Sequence, residues 1–255
     1  MKRVICEEGA GVANLILARP EKKNALDRVA ADELAKYLRA IGDSPTIRAV
    51  LITAEGEDFC AGADLEALSG MRDATPDQHR AEAQALADVF IAIRSLPQPV
   101  VAGVHGHALA GGCGLANACD IALAHENARF GYPEVRVGFV PAIVMTMLRR
   151  SAGAKRAFEL VATGRIIHAD EAERIGLITR VVPGATFKED VERCAAQLAE
   201  LPPEAVRLTK RLFYEAEGTS FADSLAAGIA GNVEARSTAA FREGVARFAR
   251  KGEKR

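Results

Sequence analysis

Before Pro141 the chain repeats one step: a short apolar run, a turn rich in small residues, then a helical period. That rhythm restricts it to folds built from α/β units in series. Residues 2–7 and 11–18 read as two strands around the turn Glu8-Gly9-Ala10-Gly11, and Asp27 caps a helix with Leu34, Leu38 and Ile41 on one face. Apolar strands follow at 47–53 and 99–104, separated by a polar loop at 69–78 and a helix ending near Ser95. A glycine-rich turn at 103–112 opens a helix over 111–118, and 120–124 is the next strand. Beyond Pro141 helical patterns dominate, at 141–151, 153–162, 169–175, 187–200, 203–216 and 220–249, with one strand at 178–182. The expectation is an α/β core over 1–200 and a helical C-terminal region over 201–255.

The composition narrows the function classes. A net charge of −1 provides no basic field for nucleic acid or an anionic membrane. The segment from Met1 to Glu8 lacks the apolar core of a signal peptide, and no run of about 18 apolar residues predicts a membrane span. Five cysteines, an odd number without a Cys-x-x-Cys pair, predict reduced thiols and a cytoplasmic location. No two histidines stand with a carboxylate at ligand spacing, so no metal is expected. His105 and His107, beside the glycine turn, read as structural histidines contacting backbone; His79, His125 and His168 read as surface.

Three segments carry the chemistry: Phe59-Cys60-Ala61-Gly62-Ala63-Asp64-Leu65, Ala108-Leu109-Ala110-Gly111-Gly112-Cys113-Gly114 and Gly131-Tyr132-Pro133-Glu134. The first two are small-residue turns that follow strands and open helices, the second with a glycine pair. Small residues there let backbone N–H groups approach a ligand, and the helix dipole favours negative charge. Two such turns face to face would give two donors to one developing oxyanion. A dinucleotide site fails on detail: after Gly112-Cys113-Gly114 the third small position is Asn117, and the turn lies mid-chain. Ser69 and Ser95 lack a neighbouring histidine base with an orienting acid, which removes serine nucleophile chemistry.

The order and spacing of these segments resemble the crotonase family, also called the enoyl-CoA hydratase/isomerase family. Further marks are Arg19-Pro20, Lys23-Asn24-Ala25-Leu26, Pro99-Val100-Val101-Ala102, Ala118-Cys119-Asp120-Ile121, Glu171-Ala172 and Gly176-Leu177. The resemblance implies an α/β fold, a spiral of ββα units with a helical C-terminal region serving assembly and active-site cover. It implies a homotrimer or dimer of trimers. It implies an acyl-CoA thioester as substrate, with no cofactor beyond coenzyme A as part of that substrate.

By motif position the two oxyanion donors fall on the backbone N–H of Ala63 and Gly111, and the catalytic acid/base on Glu134. Coenzyme contacts fall on Lys22, Asn24, Ala25, Leu26, Ala61, Asp64 and Leu65. Lys23 could meet the coenzyme's phosphates, and Lys251 or Lys254 the nucleotide of a neighbouring subunit.

Two departures from the family pattern matter. Hydratases of the family carry a second glutamate three residues after the oxyanion glycine; here that position is Gly114. Where many members read Gly-x-x-Pro-Gly-Gly-Gly, this chain reads Gly138-Phe139-Val140-Pro141-Ala142-Ile143-Val144, which changes the acyl pocket. One carboxylate suffices to move a double bond, taking a proton from Cα and returning it at Cγ; adding water is shared by two. Hydration of a 2-enoyl thioester and isomerisation of a 3-enoyl thioester both stay open at this point, as does a non-catalytic member that binds CoA esters. The amphipathic stretch 221–248, with Leu225, Ile229, Val233, Phe241, Val245 and Phe248, reads as intramolecular core.

Overall fold

In the computed structural model, which describes residues 2–252 with side chains through 247, the repeated step of the sequence becomes a repeated step in space. The side chains of Phe248 and Lys251, and all of Lys254, lie outside the described residues. β1 (Val4–Gly9) and β2 (Val12–Leu17) form an antiparallel hairpin. Ala13, Leu15 and Leu17 alternate inward along β2, as one buried sheet face requires. α1 (Arg28–Gly42) starts on Asp27, whose carboxylate accepts from Ala30 N at 2.8 Å, and leads to β3 (Ala49–Ala54) beside β2.

Then come α2 (Leu65–Gly70), α3 (Pro76–Ser95) and β4 (Val100–Val104), followed by β5 (His107–Leu109), α4 (Gly111–Ala118), β6 (Ile121–His125) and β7 (Arg129–Gly131). The remainder is α5 (Met145–Ala152), α6 (Ala154–Thr163), β8 (Ile166–His168), α7 (Ala169–Arg174), β9 (Arg180–Val182), α8 (Phe187–Glu200), α9 (Pro203–Glu215), α10 (Phe221–Ser237) and α11 (Ala239–Gly252).

A six-stranded sheet has the order β1-β2-β3-β4-β6-β9, parallel from β2 onward; a three-stranded sheet has the order β5-β7-β8. β4 and β6 each add a strand to the large sheet, and the chain then turns to add β5 and β7 to the small one. The segment after β3 does likewise with a single rung, Cys60 bridging Ala108 in parallel. The result is a spiral of ββα turns. The large sheet's central strands are buried on both faces, which accounts for runs such as Val100-Val101-Ala102 that are apolar without alternation.

The helical C-terminal part is tied to the core through α9. Lys210 Nζ, buried, donates to Ile93 O (2.8 Å), Gln98 O (2.9 Å) and Asp120 Oδ2 (2.7 Å), while Tyr214 OH donates to Asp120 Oδ1 (2.7 Å).

Several elements differ from the sequence expectation. Asp64 caps α2 as its place after the small-residue turn predicts, but the expected loop at 69–78 is shorter, because a capping box between Thr75 and Gln78 starts α3 at Pro76. The expected helix at 141–151 starts only at Met145, after a turn closed by Met145 N on Pro141 O at 2.9 Å. β5, β7 and β8, three residues each, carried no periodic signal and were absent from the expectation. The long helix over 220–249 is two helices, because the Thr238 hydroxyl accepts from Phe241 N (3.2 Å) and caps a fresh start. The core reading of that stretch is also corrected. Phe221 is 81% exposed, and Leu225, Ile229, Val233, Phe241 and Val245 are exposed with it.

Candidate functional site

The ladder register brings the three marked segments together. Cys60 bridges Ala108, and Ala108 pairs with Phe130 across β5 and β7, so the three residues stand side by side. Three residues further along each segment are Ala63, Gly111 and Pro133, the last followed by Glu134. Ala63 and Gly111 therefore occupy corresponding places in consecutive turns of the spiral, and Glu134 lies one residue past the corresponding place in the next.

Two of these places present backbone N–H groups. Gly62 O accepts from Leu26 N at 2.7 Å, and a trans peptide aims its N–H opposite its carbonyl, so Ala63 N–H points away from that strand. Ala110 O accepts from Gly114 N at 3.0 Å in the first turn of α4, so Gly111 N–H points back off the helix start, where the dipole is positive. Among the described residues neither N–H donates to another group. They are neighbours: a Cβ built on Gly111 would sit 3.9 Å from Ala63 N.

The approach demands special residues. Gly62 has φ +97°, and a Cβ there would lie 2.7 Å from Ala110 Cβ. A Cβ on Gly112 would lie 2.2 Å from Cys60 O, so the start of α4 seats directly on that rung. Ala110 holds φ 50°, ψ −121°, a conformation that costs a non-glycine residue on the order of 1–3 kcal/mol and turns the peptide carrying Gly111 N–H.

Glu134 lies in a 3₁₀ turn, Pro133–Val137, directly after Tyr132, which is fully buried. Its carboxylate is half-buried, and Oε2 is sealed from water without a hydrogen-bond partner. Burial raises its pKa above the ordinary glutamate value, opposed in part by its own backbone N–H. Burial also pushes the Cys113 thiol, on the first turn of α4, up to about 12, and the nearby Glu134 charge adds to that shift.

The positions marked for coenzyme contact divide by what their side chains already do. Asn24, 2% exposed, donates to Glu55 O and Asp58 O at 2.8 Å each and accepts from Arg19 N at 2.8 Å. Its side chain knits the loop, and the N–H groups of Asn24, Ala25 and Leu26 are spent on Arg19 O, Lys22 O and Gly62 O. Asp64 is also occupied, capping α2 through Glu66 N and Ala67 N and receiving Arg19 Nη1 at 2.7 Å. Burial alone would raise the Asp64 carboxyl, but Arg19 and the two amides outweigh it and hold it below the ordinary range.

Lys22 and Lys23 are exposed; Lys22 pairs with Glu66, and Lys23 with Asp58 at 3.3 Å. Ala25 and Leu26 are buried, with Leu26 bonded to the 61–64 turn at both its N–H and its carbonyl. Ala61 N bonds Lys23 O at 2.9 Å, and Leu65 is exposed at the start of α2. His105 contacts Gly56 O at 3.0 Å as expected, whereas His107 Nδ1 meets the Asp58 carboxylate at 2.6 Å instead of backbone. Arg19, which orders both Asp27 and Asp64, was seen in the sequence only as part of Arg19-Pro20.

Comparison with known proteins finds relatives over nearly the whole chain. The family profile described as enoyl-CoA hydratase/isomerase matches residues 7–255. Crotonyl-CoA hydratase of Syntrophomonas wolfei is 36% identical over 211 residues, spanning 82% of this chain and 80% of that one. An enoyl-CoA hydratase of Mycobacterium smegmatis superposes with a TM-score of 0.93 at 32% identity, over 98% of this chain and 96% of that one. Human enoyl Coenzyme A hydratase domain-containing protein 3 does so with a TM-score of 0.94 at 31% identity, over 98% of each chain.

Proposed function

The chain belongs to the enoyl-CoA hydratase/isomerase family, and on that premise we propose that it moves a proton beside the carbonyl of an enoyl-CoA thioester with Glu134 as its single acid/base. The observation that carries this reading is the orphaned, buried oxygen of Glu134 in the spiral turn after two unpartnered N–H groups. The thioester oxygen sits between Ala63 N–H and Gly111 N–H. As the Glu134 carboxylate takes a proton from Cα of a 3-enoyl ester, the electron pair moves to that oxygen as a dienolate. Two preorganised donors stabilise the negative charge, each worth about 3–4 kcal/mol of barrier. Glu134, now a carboxylic acid, returns the proton at Cγ, the double bond ends conjugated at the 2-position, and the carboxylate is regenerated.

Isomerisation is thus favoured over hydration, because water addition needs a base for the water as well as an acid for Cα, and position 114 is glycine. No cofactor enters beyond the coenzyme A of the substrate, which follows the backbone of 24–26 and 61–65. A homotrimer or dimer of trimers is proposed with it, supported by the exposed apolar stripe on α10 and α11. A cytoplasmic setting is supported by five free thiols.

The test is Glu134→Gln. Turnover should fall by about two to four orders of magnitude, the range for a lost general acid/base, while CoA-ester affinity stays within a few-fold. Wild type that binds CoA esters without turning any over would favour the non-catalytic alternative.

A further inference from the structure

The two departures of this chain from the family pattern, thirty residues apart in sequence, are in contact. A Cβ built on Gly114 would lie 2.3 Å from Val144 Cγ1, 3.0 Å from Val144 Cβ and 3.2 Å from Phe90 Cζ. Rotating Val144 about χ1 would move Cγ1 but leave Cβ 3.0 Å away, a tighter contact than side chains ordinarily make, so crowding remains in any rotamer. Nor is the backbone free to retreat. Val144 is 3% exposed at the start of α5, where its carbonyl accepts from Leu148 N at 3.2 Å, and Phe90 on α3 is 4% exposed. A side chain at position 114 is crowded while position 144 is valine, and glycine at 144 would vacate the volume it needs.

We propose that Val144 is the residue that sets which reaction this site performs, filling with hydrocarbon the space a second carboxylate would take and so excluding a hydrating water. The proposal rests on the single-carboxylate reading above. Gly114 lies one turn along α4 from Gly111, so the space beside it adjoins the thioester-oxygen donors. A held water needs two to four polar partners, and the side chains nearest these glycines, Val144 and Phe90 at position 114 and Leu86 at 3.6 Å from a Cβ built on Gly111, are hydrocarbon and supply none. The dienolate then meets only the proton that Glu134 carries. Gly114 and Val144 form one device, so changing either alone should not convert the enzyme.

The experiment compares wild type, Gly114→Glu, Val144→Gly and the double variant on 2-enoyl and 3-enoyl thioesters of equal chain length. The hydration-to-isomerisation ratio should rise about 100-fold or more in the double variant, the scale of a gained general acid/base. Each single change should move it by less than about tenfold. A double variant without gain, or Gly114→Glu alone matching it, overturns the proposal.

A conservative pair guards against misfolding. Gly114→Ala should lower the melting temperature by about 5 °C or more beside Val144 and by much less beside Val144→Gly. Equal shifts in both backgrounds would show that the contact does not govern position 114, and would also overturn the proposal. Wild type unable to isomerise 3-enoyl thioesters defeats the single-carboxylate reading itself, whereas an isomerising wild type with an unconverted double variant defeats only the role of Val144.

Discussion

Glu134 bears opposite relations to activity and to stability, and both can be read from one shift. Burial raises its pKa, so the carboxylate that acts as base is lost as pH falls through a value above the ordinary glutamate figure of about 4.3. The acid limb of kcat/KM should therefore have its midpoint above that figure, and Glu134→Gln should remove the limb along with most of the rate. For stability, a carboxyl with a raised folded-state pKa contributes fully below its unfolded pKa and loses that contribution as pH rises through the folded value. Glu134→Gln should accordingly melt higher than wild type near pH 8, with the difference closing below about pH 4; calorimetry at the two pH values checks the sign. The positions proposed for the chemistry stand out by local patterns: small residues after a strand, a glycine pair opening a helix, a Pro-Glu turn. Asp64 was legible as a helix cap, but the contacts of Asn24 and Val144 were not. Their partners lie far away in sequence, and only the closed spiral shows that Asn24 is spent on Glu55 and Asp58 or that Val144 stands over Gly114.

Between elements, the attachment of α9 to the core depends on few groups. Lys210 and Asp120 form a buried ion pair, satisfied further by two carbonyls and the Tyr214 hydroxyl. Burial pulls the Lys210 pKa down against the opposing pull of Asp120, as for a cation kept largely from water. Removing one partner of such a pair costs about 3–5 kcal/mol, whereas replacing both by apolar groups costs less. Urea unfolding of Lys210→Met should show a loss of that order, and Lys210→Met with Asp120→Leu a smaller one; a single variant as stable as wild type would mean that the latch is unimportant. Helices of ten or more residues before α10 were legible by their period, α8 to the residue, whereas α10 and α11 read as one. The three-residue strands β5, β7 and β8 were not, since too few residues alternate to show a period and their pairing is set by neighbouring turns of the spiral. The break at Thr238 was missed because a lone threonine inside an amphipathic run reads equally well as a helix-surface residue.

For the whole molecule, the exposed apolar side chains of α10 and α11 require a partner surface or a solubility cost. Light scattering at micromolar concentration should report a trimer or a dimer of trimers, with Ile229→Asp shifting it toward smaller species; a wild-type monomer would contradict the assembly proposal. The spiral architecture was legible from the resemblance of scattered motifs, whereas composition and charge could only exclude other classes. The central claim, that one carboxylate beside two backbone donors carries the chemistry, is tested most directly by wild-type turnover of 3-enoyl and 2-enoyl thioesters of the same length in one buffer. The account predicts that the conjugated 2-enoyl ester accumulates from the 3-enoyl substrate faster than water adds to it. Hydration of the 2-enoyl ester outpacing isomerisation would contradict it and require a second group to handle the water.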